Sequence, residues 1–247
     1  ALGGVIPQTV PVLEDGSIDI EVAIGKVKSD DMHFPRTKLL CLENTYNGKP
    51  LSPKYMQCAT AAARKVNLRS HLDGARLMNA AIANKCTPRE LASSFDTVSL
   101  CLSKGLGAPV GSVLVGNQDF INEARRVRKM LGGGMRQAGI LAACGIVAMK
   151  NQVDRLIQDH ALAARLASEL AQIPDIETEP QGANTNMVFI KVEHKHRAPL
   201  QNFLKEEGIL MGGRPPTFRL VLHRDITEND VNNTVSSIAK FFRGLSY

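Results

Sequence analysis

Short runs of apolar and β-branched residues alternate with helix-forming segments along the first half of the chain. The candidate strands are residues 38–42, 69–72, 97–102 and 111–115. The runs are short and, apart from residues 69–72, mainly apolar, as expected of strands that are buried on both faces of a sheet. Helix starts lie between them, because Ser52 precedes Pro53 and Thr87 precedes Pro88, which places a capping hydroxyl before proline at the first helical position. This alternation predicts an α/β fold, built from βα units around a mainly parallel sheet.

The second half of the chain has a different pattern. Residues 137–173 are nearly all helix formers with apolar residues at helical spacing, which predicts one or two long helices. The segments that follow predict strands at 187–192 and 218–222, a helix around 199–207 and a final helix after the Thr227 cap. Since 247 residues exceed a typical single domain, we predict a large domain at residues 1–155 and a small C-terminal α+β domain at residues 156–247.

Composition and charge exclude several classes of protein. Hydrophobic residues make up 44% of the chain and charged residues 22%, which is typical of a folded globular protein. The longest apolar stretch, residues 138–149, falls well short of the roughly 18 residues that indicate a membrane span, so we predict no membrane association. Basic residues cluster at 125–129, but only 4% of the chain is aromatic, and interleaved aromatic side chains usually accompany single-strand binding. We therefore predict no nucleic-acid partner.

The five cysteines indicate a reducing compartment. They are odd in number, lack CxxC spacing and lie mostly in apolar segments, which predicts buried free thiols and no metal site. A cytoplasmic location fits this pattern.

A lysine directly after an apolar strand is the first candidate for chemistry. Lys104 ends the run Val98-Ser-Leu-Cys-Leu-Ser-Lys104 and is followed by Gly-Leu-Gly. Partial desolvation at the end of a buried strand would lower the pKa of such a lysine and suit it to Schiff-base formation with an aldehyde. The alternatives are a phosphate-binding lysine and an ordinary surface lysine, and Lys104 alone does not decide between them.

An acid follows the preceding predicted strand, in His71-Leu-Asp73-Gly-Ala-Arg76. Ligands of open α/β sheets bind at the carboxyl ends of the strands, and a pyridoxal phosphate (PLP) site needs an acid beside the pyridine nitrogen as well as a Schiff-base lysine. Asp73 and Lys104 together therefore indicate a PLP site more strongly than either residue does alone. Asp73 could instead be a helix cap or turn residue, with Arg76 as its surface partner. His71 shares a strand face with Asp73, and we interpret it as structural.

Three longer segments resemble the threonine aldolase family of PLP enzymes. They are His71-Leu-Asp-Gly-Ala-Arg76, Leu102-Ser-Lys-Gly-Leu-Gly-Ala-Pro-Val-Gly111 and Lys129-Met-Leu-Gly-Gly-Gly-Met-Arg-Gln-Ala138. Two shorter segments, Asp31-Met-His-Phe-Pro-Arg-Thr37 and Leu42-Glu-Asn-Thr-Tyr-Asn-Gly48, also look like family segments in the same order. The resemblance runs over essentially the whole chain and implies the fold type I PLP-transferase architecture.

The resemblance also implies roles for individual residues. Lys104 would form the Schiff base with PLP, and Asp73 would keep its pyridine nitrogen protonated. Arg76 would lie beside the cofactor and substrate, and Arg219 would bind the substrate carboxylate through a bidentate fork. Lys129 and Arg136, on either side of the triple glycine, would bind the phosphate group, and His33 would lie near the substrate β-hydroxyl. Taken alone, Lys129 and Arg136 could be a basic surface, Arg219 a solvent-facing charge and His33 a bystander.

The sequence departs from the family pattern in two places. Family members carry a further N-terminal segment with a glycine-containing phosphate loop and a histidine that stacks on the pyridoxal ring, so we expect a large domain that is incomplete at its N-terminus. Helix N-termini contribute to phosphate binding, so cofactor retention should be weaker. Tyr46 stands where Asn-Thr-His-Asn is usual, and its hydroxyl, with a pKa of about 10, is a poor base at neutral pH.

The resemblance implies a homodimeric or homotetrameric lyase that cleaves L-threonine or L-allo-threonine to glycine and acetaldehyde, with roles in threonine catabolism and glycine biosynthesis. Two alternatives remain open. One is another PLP lyase or an aminotransferase of the same fold, and the other is a catalytically silent fragment or isoform.

Overall fold

The computed structural model describes residues 3–179, 182–214 and 216–244. The chain forms two compact units: the first contains the residues up to Ser103 and those from Ala108 to Gly145, and the second contains Lys104–Gly107 and the residues from Ile146 onward. The division at residue 155, which the sequence suggested, stays a prediction. Within the described ranges, no helix is both long and apolar enough to cross a membrane.

The first unit is organised around one mixed sheet. Its strands are β1 (Leu39–Glu43), β2 (Arg69–Gly74), β3 (Thr97–Cys101) and β4 (Ser112–Val115), in spatial order β1-β2-β3-β4. The first three strands pair in parallel, so their carboxyl ends lie at the same edge of the sheet. β4 pairs with β3 in the antiparallel direction. All four predicted strands are therefore confirmed, and the sheet is mainly parallel.

The helices of the first unit are α1 (Ile20–Gly25), α2 (Pro53–Lys65), α3 (Leu77–Asn84), α4 (Pro88–Ala92) and α5 (Gln118–Met130). Two of them begin at the capping residues that the sequence predicts. The Ser52 hydroxyl accepts a hydrogen bond from the Tyr55 amide at the start of α2. Thr87 and Glu90 form a reciprocal capping box at the start of α4. Both predicted helix starts are confirmed.

One face of this sheet packs into the core. The burial pattern of β2 alternates along the strand, with Ser70, Leu72 and Gly74 buried and the residues between them more exposed. Leu72 is fully buried, and it belongs to a core cluster that also contains Leu42, Met56 and Val98. This alternation turns His71 and Asp73 to the opposite face of the sheet.

The second unit contains an antiparallel sheet and its helices. The elements are α6 (Gly139–Asn151, which crosses the division between the units), α7 (Leu156–Leu170), β5 (Glu177–Thr178), β6 (Met187–Lys191), α8 (His194–Glu206), β7 (Gly212–Arg214), β8 (Thr217–Val221) and α9 (Glu228–Gly244). The strand order is β5-β6-β8-β7, with every neighbouring pair antiparallel. Leu170, Ile190, Leu200, Leu204 and Ile238 are fully buried in its core. The predicted strands correspond to β6 and β8, and the predicted helices correspond to α8 and α9, although α8 begins at His194 and contains Pro199 in its interior. β5 and β7 were not predicted.

The prediction that the cysteines are buried is wrong. Cys41 and Cys58 are exposed, and Cys86, Cys101 and Cys144 are of intermediate exposure. Cys41 lies on the less buried face of β1, between the core residues Leu40 and Leu42. An apolar sequence context does not determine which strand face a side chain occupies, because adjacent residues point to opposite faces. All five thiols are free.

Candidate functional site

Asp73 and Arg76 lie together where β2 leaves the sheet, and Asn44 holds this segment in place. The Asn44 amide donates a hydrogen bond to the Asp73 carbonyl at 3.0 Å, and the Arg76 amide donates to the Asn44 carbonyl at 3.3 Å. The fully buried Asn44 side chain forms two hydrogen bonds with Leu51, donating to its carbonyl at 3.0 Å and accepting from its amide at 3.1 Å. Sequence reasoning missed this role, although Asn44 lies in one of the family-like segments.

Close packing between β2 and β3 fixes the backbone beside Asp73. Asp73 is in register with Glu43 of β1 and Ser99 of β3, and its side chain is exposed. A Cβ atom at Gly74 would lie 2.6 Å from the Ser99 carbonyl oxygen. Since that atom belongs to the β3 backbone, only glycine fits at this position without separating the strands. The Asp73 backbone is therefore fixed at the carboxyl end of β2.

His71 has the structural role that the sequence suggested. It shares a face of β2 with Asp73, and its Nδ1 lies 2.8 Å from the Thr97 hydroxyl on β3. Burial lowers the pKa of His71 below its ordinary value, while the Asp73 carboxylate opposes part of that shift. The imidazole is therefore neutral at pH 7 and links β2 to β3.

Lys104 lies on a glycine-rich turn that follows β3. The Gly107 amide donates a hydrogen bond to the Lys104 carbonyl at 2.8 Å, and Gly107 has a φ of 72°, which favours glycine. The Lys104 side chain is exposed. The prediction that the Lys104 side chain is partly desolvated is therefore wrong. The turn places Lys104 beyond the end of β3, where its side chain is exposed.

Arg219 lies on β8, beside a strand that approaches it very closely. Its side chain is exposed, whereas that of the preceding Phe218 is buried. Gly213 of β7 has a φ of 113°, and a Cβ atom there would lie 2.6 Å from the Thr217 carbonyl oxygen and 2.8 Å from the Arg219 amide nitrogen. β7 thus fixes the backbone of Arg219 and leaves its guanidinium in solvent.

The triple glycine after α5 folds back on the end of that helix. The Gly133 amide donates a hydrogen bond to the Arg128 carbonyl at 2.8 Å. The Lys129 side chain lies directly against the Gly134 backbone. Lys129 and Arg136 are both exposed. Gly132 has a φ of 90°, so the turn at the end of α5 favours glycine at that position.

His33 lies in an exposed loop and is oriented by Asp31. The Asp31 carboxylate is 2.8 Å from the His33 amide and 2.7 Å from the ring Nδ1. The hydrogen bonds from the His33 amide and ring lower the pKa of Asp31, which is therefore an acceptor at neutral pH. The contact with Asp31 through Nδ1 fixes the orientation of the ring and leaves Nε2 on its far side.

The predicted residues fall in both units. Asp73, Arg76, His33, Lys129 and Arg136 lie in the first, and the structure brings Asp73 and Arg76 together while His33 and the triple-glycine pair lie on separate segments. Lys104 and Arg219 lie in the second. This set of groups fits PLP chemically. Lys104 offers an exposed amine for its aldehyde, Asp73 a carboxylate for its pyridine nitrogen, and the basic residues around the triple glycine could bind its phosphate.

Comparisons with known proteins show the family and the fold. The beta-eliminating lyase family model matches residues 1–193. The low-specificity L-threonine aldolase of Escherichia coli K12 is 45% identical over 230 residues, which cover 93% of this chain and 68% of that protein. The structure of a putative L-allo-threonine aldolase from Listeria monocytogenes superposes with a TM-score of 0.76 at 17% identity, covering 97% of this chain and 69% of that one. A serine palmitoyltransferase solved with PLP superposes with a TM-score of 0.68 at 17% identity, covering 92% and 59%.

The fold and these comparisons define a PLP-dependent enzyme of fold type I, which confirms the predicted fold class and cofactor. More narrowly, the chain belongs to the beta-eliminating lyase family, among the low-specificity L-threonine aldolases. The resemblance seen in the sequence is therefore confirmed, and the chain spans about two thirds of the length of its E. coli relative.

Proposed function

We propose that this protein cleaves L-threonine and L-allo-threonine to glycine and acetaldehyde. The observation that supports it most strongly is the Lys104 turn after β3, combined with Asp73 at the end of β2, in a chain 45% identical to a low-specificity L-threonine aldolase. When bound, PLP supplies an electron sink for the Cα–Cβ bond that breaks. The Lys104 amine would hold the cofactor at the aldehyde carbon of PLP, and the Asp73 carboxylate would keep the pyridine nitrogen protonated.

The remaining residues bind and orient the substrate. Arg219, with Arg76, binds the α-carboxylate, because a guanidinium fork matches the two carboxylate oxygens. Holding the carboxylate would fix the orientation of the substrate's Cα–Cβ bond. Lys129 and Arg136 bind the phosphate group.

His33 accepts the proton of the substrate β-hydroxyl, directly or through a water molecule. Asp31 fixes the ring through Nδ1, so Nε2 is the accepting atom. Loss of this proton breaks the Cα–Cβ bond and releases acetaldehyde, and a proton added at Cα completes glycine. The cleavage of threonine to glycine and acetaldehyde balances in atoms and charge, because one proton leaves the hydroxyl and one is added at Cα.

Product analysis tests this proposal. Purified protein supplied with PLP and L-allo-threonine is expected to release acetaldehyde and glycine in equal amounts. L-Alanine is the control, because it lacks the β-hydroxyl whose proton starts the cleavage. A keto acid in place of acetaldehyde would indicate an aminotransferase, and the absence of both products would indicate a catalytically silent chain.

We further propose that the protein is a homodimer or homotetramer. α5 buries none of its side chains in the described part of the chain. The segment from α5 to the start of α6 exposes the apolar residues Phe120, Val127, Met130, Leu131, Met135 and Ile140. Apolar surface concentrated in this way is typical of association sites.

Sedimentation measurements test the oligomer. The unaltered protein is expected to sediment as a dimer or tetramer, and Ile140→Glu, at a residue that is 77% exposed, to shift it toward the monomer. Leu210→Glu, in the second unit and 83% exposed, is the matched control and should not change the mass. A monomer at all concentrations would contradict the proposal.

Further aspects rest on the same family assignment. We infer roles in threonine catabolism and glycine biosynthesis, because these follow from the proposed reaction. A cytoplasmic location is supported by the five free thiols.

A further inference from the structure

The turn that carries Lys104 is bound by a buried ion pair on α7. Asp159 is 1% exposed and Arg155 is 20% exposed. Arg155 forms a two-pronged interaction with the carboxylate, with Nη1 2.7 Å from Oδ1 and Nη2 2.8 Å from Oδ2. The same Nη2 also donates a hydrogen bond to the Gly105 carbonyl at 3.2 Å. The guanidinium therefore joins the start of α7 to the residue after Lys104.

Two other contacts restrict the same turn. The Gly107 amide donates to the Lys104 carbonyl, as described above. A Cβ atom at Gly107 would lie 3.0 Å from Cδ of Arg224, so that side chain lies against the glycine. The turn that follows Lys104 is therefore held by hydrogen bonds to the carbonyls of Lys104 and Gly105.

A second ion pair on α7 shows that helical spacing alone does not explain this arrangement. Arg165 and Glu169 have the same i, i+4 spacing as Arg155 and Asp159, and their side chains are 39% and 36% exposed. Arg165 bonds Asn232 rather than the turn. Burying two charges opposes folding unless additional hydrogen bonds compensate. The buried pair is the one with a hydrogen bond to the turn that presents Lys104.

We propose that Arg155, held by Asp159, is a positioning residue for Lys104. It binds the Gly105 carbonyl and thereby fixes the backbone from which the exposed lysine side chain projects. A fixed backbone reduces the conformational freedom that the lysine loses when its amine bonds the cofactor aldehyde. The chemical role of Lys104 in this inference rests on the function proposed above.

Two variants separate positioning from folding. Arg155→Met/Asp159→Leu removes both charges, so that no uncompensated charge remains buried. Arg155→Lys keeps a cation beside Asp159 but lacks the planar fork that also reaches Gly105. The matched control is Arg165→Met/Glu169→Leu, which removes the other ion pair of α7.

Hydrogen exchange of the Gly107 amide, measured by NMR, reports how often the hydrogen bond from Gly107 to the Lys104 carbonyl opens. This measurement needs no cofactor. Both Arg155 variants are expected to raise its exchange rate about 3–10-fold, as expected for the loss of one supporting hydrogen bond. Borohydride trapping of PLP on Lys104 should slow by a similar factor. The Arg165 control should change neither the exchange rate nor the trapping rate. Arg155→Lys should have a melting temperature close to that of the unaltered protein.

The outcomes distinguish a failure of the Arg155 positioning role from a failure of the proposed cleavage reaction. Unchanged Gly107 exchange and PLP trapping in both Arg155 variants would overturn the positioning role, as would equal changes in the Arg165 control. Failure of the unaltered protein to trap PLP on Lys104, with Gly107 still protected, would instead reject the proposed function and the lysine role that depends on it.

Discussion

Lys104→Ala is expected to abolish covalent capture of PLP and to lower acetaldehyde release by at least about 10²-fold, because the variant lacks the amine that we propose bonds the cofactor. Borohydride reduction followed by peptide mass spectrometry measures the capture directly. The adduct should be found on the peptide that contains Lys104 in the unaltered protein. Folding should not change, since the Lys104 side chain is exposed.

Two controls show whether the amine or only its charge is required. Lys104→Arg keeps the cation but provides no nucleophilic amine near neutral pH, so it should also fail to capture PLP. Lys205→Ala removes another exposed lysine of the second unit, at the last turn of α8, and should leave capture unchanged. Undiminished acetaldehyde release from Lys104→Ala would refute the assignment of Lys104.

Leu72→Ala is expected to destabilise the first unit by about 2–5 kcal/mol, because a fully buried leucine is replaced by a cavity. A loss of this size lowers the melting temperature by roughly 5–15 °C in a unit of this length. Leu72 lies between His71 and Asp73 on β2, so looser packing beneath it should also weaken the hold on the Asp73 backbone. Thermal unfolding followed by circular dichroism measures the change.

The matched control is Leu39→Ala on the neighbouring strand. Leu39 is the same residue type in the same sheet, but it is 49% exposed. Its replacement should change the melting temperature much less, since little apolar surface is removed from the core. Equal effects at the two positions would mean that Leu72 is not a core residue.

Local signals in the sequence predicted much of the fold. The Ser52–Pro53 and Thr87–Pro88 pairs gave correct helix starts, because caps depend on neighbouring backbone groups alone. The strand runs were also found, to within a residue or two at each end. The antiparallel direction of β4 was not predicted, because strand direction depends on how the chain returns to the sheet.

The contacts that hold the candidate site were harder to predict. Arg155 and Asp159 have helical spacing, but so do Arg165 and Glu169, and only the folded chain shows which arginine reaches Gly105. Asn44 is a similar case, since its partners Asp73 and Arg76 are distant in sequence. The exposure of Lys104 was missed because strand patterns do not define the conformation of the turn that follows. The family-like segments predicted which residues react, whereas the residues that support them became visible only in the structure.

The parallel pairing of β1, β2 and β3 affects how fast the first unit can fold. Leu39 pairs with Arg69, and Leu72 pairs with Val98, so each strand pair forms only after a helical crossover closes. Loop closure costs entropy before the strand contacts stabilise the product, which slows folding. During this delay the unpaired strands can join those of other chains. Refolding by dilution to low protein concentration should therefore favour native sheet formation over aggregation.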